Sequence, residues 1–204
     1  IDGLSVGLTI CEDIWHPEPA AQAKAAGAAM LININASPFH RGKSSERLER
    51  VKSCAAAHQL PIIYVNQVGG QDELVFDGGS FAIDAQGELS VSAQTFIEAF
   101  PIVTVDRSSD ARLAPGDTVA ERKDLDAVWQ ALVLGMRDYV DKNGFPGVVL
   151  GLSGGIDSAV TLAVAADALG HERVEAVMMP FRYTASMSVE DAEAEAQALG
   201  VRFS

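Results

Sequence analysis

Two groups of residues in this sequence have types and spacings suited to covalent chemistry. The first is Gly151-Leu152-Ser153-Gly154-Gly155-Ile156-Asp157-Ser158, which follows the apolar Val148-Val149-Leu150 and opens a helical pattern over residues 156–169. Adjacent glycines admit backbone angles that a Cβ disfavours, so successive N–H groups can converge on an anion at a helix N-terminus. Ser153 and Ser158 add hydroxyl donors, and Asp157 can hold a magnesium ion against phosphates. No lysine lies in or directly after the loop, so the pattern that grips a transferable γ-phosphate is absent. A loop made mostly of backbone donors suits a pyrophosphate that departs. The second group centres on Cys11, at the end of an alternating stretch over residues 4–10. A thiol there, followed by a turn with a free backbone N–H, can attack a carbonyl while the N–H steadies the oxyanion.

The elements that must position these residues follow from periodicity. Alternation over 4–10 predicts a strand with two distinct faces, and 17–26 a helix closed by Gly27. A buried strand over 28–35 leads through the loop 36–43 to a helix that Ser44 or Ser45 can cap and that runs to about Gln59. Strands are expected at 61–66, 80–83, 88–93 and 102–105, with turn signals at Asp77-Gly78-Gly79 and Asp84-Ala85-Gln86-Gly87. Residues 107–123 mix Ser, Asp, Pro, Gly and charge without period and read as a connection. A helix over 124–142 carries Leu125, Val128, Leu132, Met136 and Tyr139 as its expected apolar face. Beyond the glycine loop, Ile156, Ala159, Val160, Ala163 and Val164 form the expected apolar face of the next helix, and a strand follows over 174–179. Strand, helix, strand predicts a parallel pair with a right-handed crossover, which puts the loop at the carboxyl edge where α/β folds bind ligands. Residues 180–187 form a loop at that edge, and a capping-box pattern at Ser188 begins a helix whose apolar face is Val189, Ala192, Ala196 and Leu199. The chain is therefore α/β, with units at 1–106 and 124–204 joined by 107–123.

Composition narrows the partners. Fifteen Lys and Arg against 28 Asp and Glu give a net charge of −13 over 204 residues, which argues against an extended nucleic-acid or anionic-membrane surface. An anionic small molecule must then be held by local donors. The 48% apolar content supports a packed core, and no apolar run approaches the length of a membrane span. Cys11 and Cys54 lack metal-ligand spacing, which fits a reducing, cytoplasmic setting, and Cys54 in a helical Ala run reads as core. The chain begins with Ile1 and ends on a strand-like Val201-Arg202-Phe203-Ser204, as a segment of a longer polypeptide would.

Ser153-Gly154-Gly155-Ile156-Asp157-Ser158 matches the SGGxDS signature and so resembles the PP-loop ATP pyrophosphatases. Cys11-Glu12-Asp13-Ile14-Trp15, Asn35-Ala36-Ser37-Pro38-Phe39 and Asp77-Gly78-Gly79-Ser80 resemble the C-terminal half of a nitrilase-type glutamine amidase. Both, in this order, resemble the glutamine-hydrolysing NAD synthetase family over essentially the whole chain. The resemblance implies half of a nitrilase-like α-β-β-α sandwich followed by the start of a Rossmann-like PP-loop domain. It implies Cys11 as nucleophile and contacts from Ser37 and Lys43 to glutamine. It also implies an ATP site from Gly151, Leu152, Ser153, Gly154, Gly155, Ile156, Asp157 and Ser158, with Met179 bordering the adenine, Arg182 in a nucleotide-side loop and magnesium at Asp157. Glutamine, ATP and deamido-NAD would be the substrates, and the intact protein a homo-oligomer. In that family a Glu base and an oxyanion-stabilising Lys precede the cysteine by long stretches. Only 10 residues precede Cys11, so the chain by itself is expected to be inactive.

Two other readings compete. Another PP-loop amidotransferase, such as a GMP or asparagine synthetase, pairs the loop with a different glutaminase, which Cys11-Glu12-Asp13 after a strand argues against. A noncatalytic nucleotide-binding module would have kept the loop and lost the amidase partners. A longer reading frame with an upstream Glu and Lys favours the enzyme.

Overall fold

The computed structural model describes residues 3–106 and 111–204, so residues 107–110 of the expected connection lie outside the described residues. The elements run β1 (Val6–Ile10), a 3-10 turn (Cys11–Trp15), α1 (Pro17–Ala25), β2 (Met30–Asn35), α2 (Lys43–His58), β3 (Ile62–Asn66), β4 (Val68–Gln71), β5 (Leu74–Asp77), β6 (Phe81–Ile83) and β7 (Leu89–Ser92). There follow β8 (Val105–Asp106), β9 (Arg112–Leu113), α3 (Asp124–Lys142), β10 (Val148–Gly151), α4 (Ile156–Leu169), a 3-10 turn (His171–Arg173), β11 (Val174–Val177), α5 (Ser186–Leu199) and β12 (Arg202–Phe203). The chain divides into two units, Ile1–Gly69 with Leu74–Val128, and Gly70–Glu73 with Trp129–Ser204.

The first unit is built on a five-stranded sheet in the order β1-β2-β3-β6-β7, in which β1, β2 and β3 are parallel and β6 and β7 antiparallel. Because side chains alternate along a strand, one face presents Leu31, Ile62, Tyr64, Phe81 and Ile83, and these pack under Ala20, Val51, Cys54 and Ala55 of α1 and α2. The opposite face is covered beside β6, where Ala82, Val91 and Leu113 cluster with Val103 and Val105. Toward β1 and the carboxyl ends of β2 and β3 the described residues leave it open: Leu8, Ile10, Ile34 and Val65 are 70%, 67%, 51% and 40% exposed. One helical layer, one sheet and an uncovered apolar sheet face make half of an α-β-β-α sandwich. Part of the segment expected as a connection belongs to this unit, since β9 pairs with β8 and buries Ala111 and Leu113.

In the second unit β10, β11 and β12 form a parallel sheet in that order, with α4 connecting β10 to β11. Its core gathers Val133, Val140, Leu152, Leu162, Val174 and Ala196. The expected helical faces need correction here. In α3, Leu125, Leu132 and Tyr139 are exposed while Ala131, Val133, Leu134 and Val140 are buried. In α4, Ile156 and Val160 are exposed while Leu162, Ala165, Ala168 and Leu169 are buried. Both helices are apolar on more than one side, so 3.6-residue spacing admits several stripes and the partner surface selects one. The α5 face is as expected, with Ala192 and Ala196 fully buried, but the helix starts at Ser186 after Ala185 rather than at Ser188, and Met187 lies within it.

Candidate functional site

In the first unit, β1 delivers Cys11 to the carboxyl edge of the parallel strands, and the thiol side chain is exposed. Its φ of +48° is left-handed, a conformation that costs a residue with a Cβ roughly 1–2 kcal/mol. The chain turns abruptly there into the 3-10 turn, which is tied back by the Ile10 N–H donating to Asp13 Oδ2 at 2.8 Å. A strained residue presenting a reactive side chain between a strand and a helical turn is the geometry of a nucleophile elbow.

One face of α2 braces this turn. The helix opens after Gly42, at φ +78°, so neither Ser44 nor Ser45 caps it, and Ser45 Oγ donates instead to Glu121 at 2.8 Å. Lys43, Arg47 and Arg50 follow at steps of four and three, which aligns them along one side. Lys43 Nζ lies 4.2 Å from the centre of the Trp15 ring and 3.0 Å from Glu46. Arg50 donates to the carbonyls of Ile14, at 3.1 Å, and Trp15. Lys43 therefore stands against the segment that Cys11 begins, in a chain whose net charge is strongly negative.

Ser37 follows β2 and is nearly buried. Its N–H donates to Asn66 Oδ1 at 2.9 Å, and its Oγ accepts from Arg47 Nε at 3.1 Å. Arg47, 4% exposed, also reaches the Ser37 and Pro38 carbonyls and pairs with both oxygens of buried Asp77 at 2.8 and 3.0 Å. Asn66 Nδ2 completes the group on the Gly78 carbonyl at 3.0 Å. A second run of buried amides leads in from the sheet, with Asn33 on Thr9 Oγ1 at 3.0 Å and Asn35 on Asn33 Oδ1 at 2.6 Å. Burial pushes the Tyr64 hydroxyl above the ordinary tyrosine range, with Arg47 and Ser37 opposing the shift and Cys11 and Asp77 adding to it. Burial likewise raises the Cys54 thiol, which belongs to the core.

Sequence reasoning named Cys11, Ser37 and Lys43 but missed Arg47, Asp77, Asn66 and Arg50. In sequence, Asp77-Gly78-Gly79 reads only as a turn and a family motif. The available signal was the spacing of Lys43, Arg47 and Arg50 on one helical face. A cleft of about 1050 Å³ in this unit is lined by Arg41, Asp77, Phe96, Glu121 and Asp124 among others, but Cys11, Ser37 and Lys43 do not line it. At its rim, an ion pair with Arg41 holds the Asp124 carboxyl below the usual carboxylate range.

In the second unit the glycine loop joins β10 to α4. Leu152 is buried and its N–H donates to Val177 at 2.9 Å, which anchors the loop to the sheet. Gly154 has φ +73°, and Gly155 precedes the first turn of α4. Ser153 and Ser158 do more than line the loop. The Ser153 N–H donates to Ser158 Oγ at 3.2 Å, Ser158 Oγ donates to the Gly155 carbonyl at 2.9 Å, and Gly155 N–H donates to Ser153 Oγ at 3.3 Å. Their hydroxyls therefore close the loop on itself. Ile156 and Asp157, in the first turn of α4, are exposed at the helix end where N–H groups lack intrahelical partners and the dipole favours negative charge. Met179 is exposed, and its methyl group lies 3.4 Å from where a Cβ on Gly151 would stand. Arg182 stacks its guanidinium over Tyr183 at 4.8 Å and Phe181 at 5.5 Å. Among the described residues no three His, Cys, Asp or Glu side chains converge to hold a metal. A cation at Asp157 would thus take its remaining ligands from phosphate oxygens and water, the arrangement magnesium favours. Among the described residues, too, no helix is long and apolar enough to cross a membrane.

Comparison with known proteins accords with this division. The family model described as Carbon-nitrogen hydrolase matches residues 1–114, and the one described as NAD synthase matches residues 128–204. The glutamine-dependent NAD(+) synthetase of Rhodobacter capsulatus is 45% identical over 98% of this chain, and that of Acinetobacter baylyi 42% identical over 98%. The chain spans only 36% and 37% of those two proteins. The solved glutamine-dependent NAD+ synthetase of Acinetobacter baumannii, in complex with ADP, superposes with a TM-score of 0.93 at 44% identity, covering 98% of this chain and 38% of that one. The Cytophaga hutchinsonii enzyme, at 22% identity and a TM-score of 0.75 over the same share of each, shares the fold. The chain belongs to the carbon-nitrogen hydrolase family, and over nearly its whole length it is a homologue of glutamine-dependent NAD(+) synthetases.

Proposed function

We propose that the polypeptide carrying this chain amidates deamido-NAD to NAD at the expense of ATP, with ammonia drawn from glutamine. The Cys11 thiolate attacks the glutamine carboxamide carbon, ammonia leaves with a proton, and water cleaves the resulting thioester to glutamate. In the second unit the nicotinate carboxylate attacks the α-phosphorus of ATP and pyrophosphate departs. Ammonia then attacks the acyl-adenylate, forming the amide and releasing AMP. The observation that carries this reading is the strained Cys11 at a strand end, in one chain with a glycine loop that turns at a left-handed Gly154 into the N-terminus of α4.

Ser37 and Lys43 serve the glutamine backbone, a hydroxyl and a cation being apt partners for its polar groups. Gly151, Leu152, Ser153, Gly154, Gly155, Ile156, Asp157 and Ser158 serve the ATP phosphates. Met179 flanks the adenine, and Arg182, held by two aromatic rings, stands ready for an anionic group. Asp157 would hold magnesium, whose charge offsets that of the phosphates. The protein would be a cytoplasmic homo-oligomer. A glutamine analogue bearing an electrophilic diazoketone tests the first step. It should add covalently at Cys11 of the full-length protein, as read by mass spectrometry, and labelling elsewhere with Cys11 untouched would refute the assignment.

A further inference from the structure

The buried arginine of α2 makes more contacts than packing requires. Arg47 donates to Ser37 Oγ, to the Ser37 and Pro38 carbonyls, and to both oxygens of Asp77. A guanidinium has no acceptor, so wherever it meets a hydroxyl the hydroxyl must accept. Ser37 is thereby left with its own hydrogen to donate. Its polar neighbour is the buried Tyr64 hydroxyl, on which it acts against the upward shift that burial imposes. Tyr64 makes no hydrogen bond of normal geometry among the described residues, so this contact leaves both hydroxyls with capacity for a further partner. Two buried hydroxyls with unused capacity, beside the strand ends that carry Cys11, mark a place where a polar ligand is expected.

We infer that Arg47 is a positioning residue of the amide-donor site, which fixes the loop after β2 and makes the Ser37 hydroxyl a one-way donor to an oxygen of the bound amino-acid amide. Asp77 supports this by neutralising the guanidinium and fixing its rotamer, since it engages one fork of the arginine while Ser37 and Pro38 take the rest. A lysine at this position keeps the charge for Asp77 but cannot span the hydroxyl and both carbonyls together. The inference rests on the cysteine reading above and adds the residue that sets substrate position.

The test uses the full-length protein with Arg47→Lys, Ser37→Ala and the double variant, and Cys11→Ala alongside. Arg47→Lys should raise KM for glutamine about tenfold, as loss of charge-assisted hydrogen bonds does, while kcat stays within about threefold and ammonia-driven product formation is unchanged. The double variant should be no worse than Ser37→Ala, because Arg47 acts through that hydroxyl. Should Arg47→Lys fold poorly, Arg47→Met with Asp77→Leu removes both charges and should show the same KM rise. An unmoved KM, or additive effects of Arg47→Lys and Ser37→Ala, would overturn the inference even if Cys11→Ala loses glutamine use as expected. Glutamine use surviving in Cys11→Ala would overturn the underlying reading, and the inference with it.

Discussion

Gly154 lies directly beneath Ser188: a Cβ on this glycine would stand 2.2 Å from the Ser188 carbonyl oxygen, and its φ is +73°. The glycine loop is therefore seated against the first turns of α5 by backbone rather than by side chains. Gly154→Ala combines a left-handed penalty with a clash against main chain, and should destabilise the second unit by about 2 kcal/mol or more. At Gly155 a Cβ would meet, among the described residues, just the Ser153 hydroxyl at 3.3 Å, so Gly155→Ala should cost less than about 1 kcal/mol. Urea denaturation of the two variants distinguishes them, and equal losses would contradict the seating.

Asp157→Ala should weaken ATP use in the full-length protein while leaving glutamine hydrolysis in the absence of ATP unchanged. The acidic side chain is exposed in the first turn of α4, where its removal does not disturb the core. Steady-state kinetics against ATP at fixed magnesium measures it. Unchanged ATP kinetics would remove Asp157 from the site.

The Arg47–Asp77 pair is 4% exposed on each side, so breaking it strands a buried charge. Asp77→Leu alone should cost about 3–5 kcal/mol, and Arg47→Met in addition should restore part of the loss. Chemical denaturation of the single and double variants reads this directly, and a double variant less stable than Asp77→Leu would contradict it.

Tyr64 sets a pH dependence. Burial raises its folded pKa above the ordinary 10.0, so its contribution is complete below that value and is lost as the pH rises through the folded pKa. Stability should therefore fall as the pH climbs past about 10, and Tyr64→Phe should remove part of that fall. Because its hydroxyl has no hydrogen-bond partner among the described residues, the same variant should change stability at neutral pH by no more than about 1 kcal/mol. Denaturation midpoints at the two pH values check both statements.

Local chemistry was readable where glycine, capping and alternation speak directly. The glycine loop, the parallel strand-helix-strand unit, the end of α3 at Lys142 and the core role of Cys54 all follow from short-range rules. The buried stripes of α3 and α4 did not, because Leu125, Leu132, Ile156 and Val160 make equally periodic faces and only the partner surface decides among them. Leu8 and Ile10 alternate like core residues yet are exposed, since among the described residues no element covers that face of β1. Arg47 escaped notice because its value lies in contacts with Ser37 and Asp77, residues 10 and 30 positions away. A charged residue in a helix otherwise reads as solvated.

The central claim is a division of labour between a thiol that frees nitrogen and a loop that activates the acceptor. It is tested most directly by product formation from deamido-NAD and ATP in full-length Cys11→Ala, with glutamine or with ammonium as the nitrogen source. The account predicts that glutamine no longer supports NAD formation while ammonium still does at the wild-type rate. Loss of both activities in a normally folded variant, or retention of both, would contradict it.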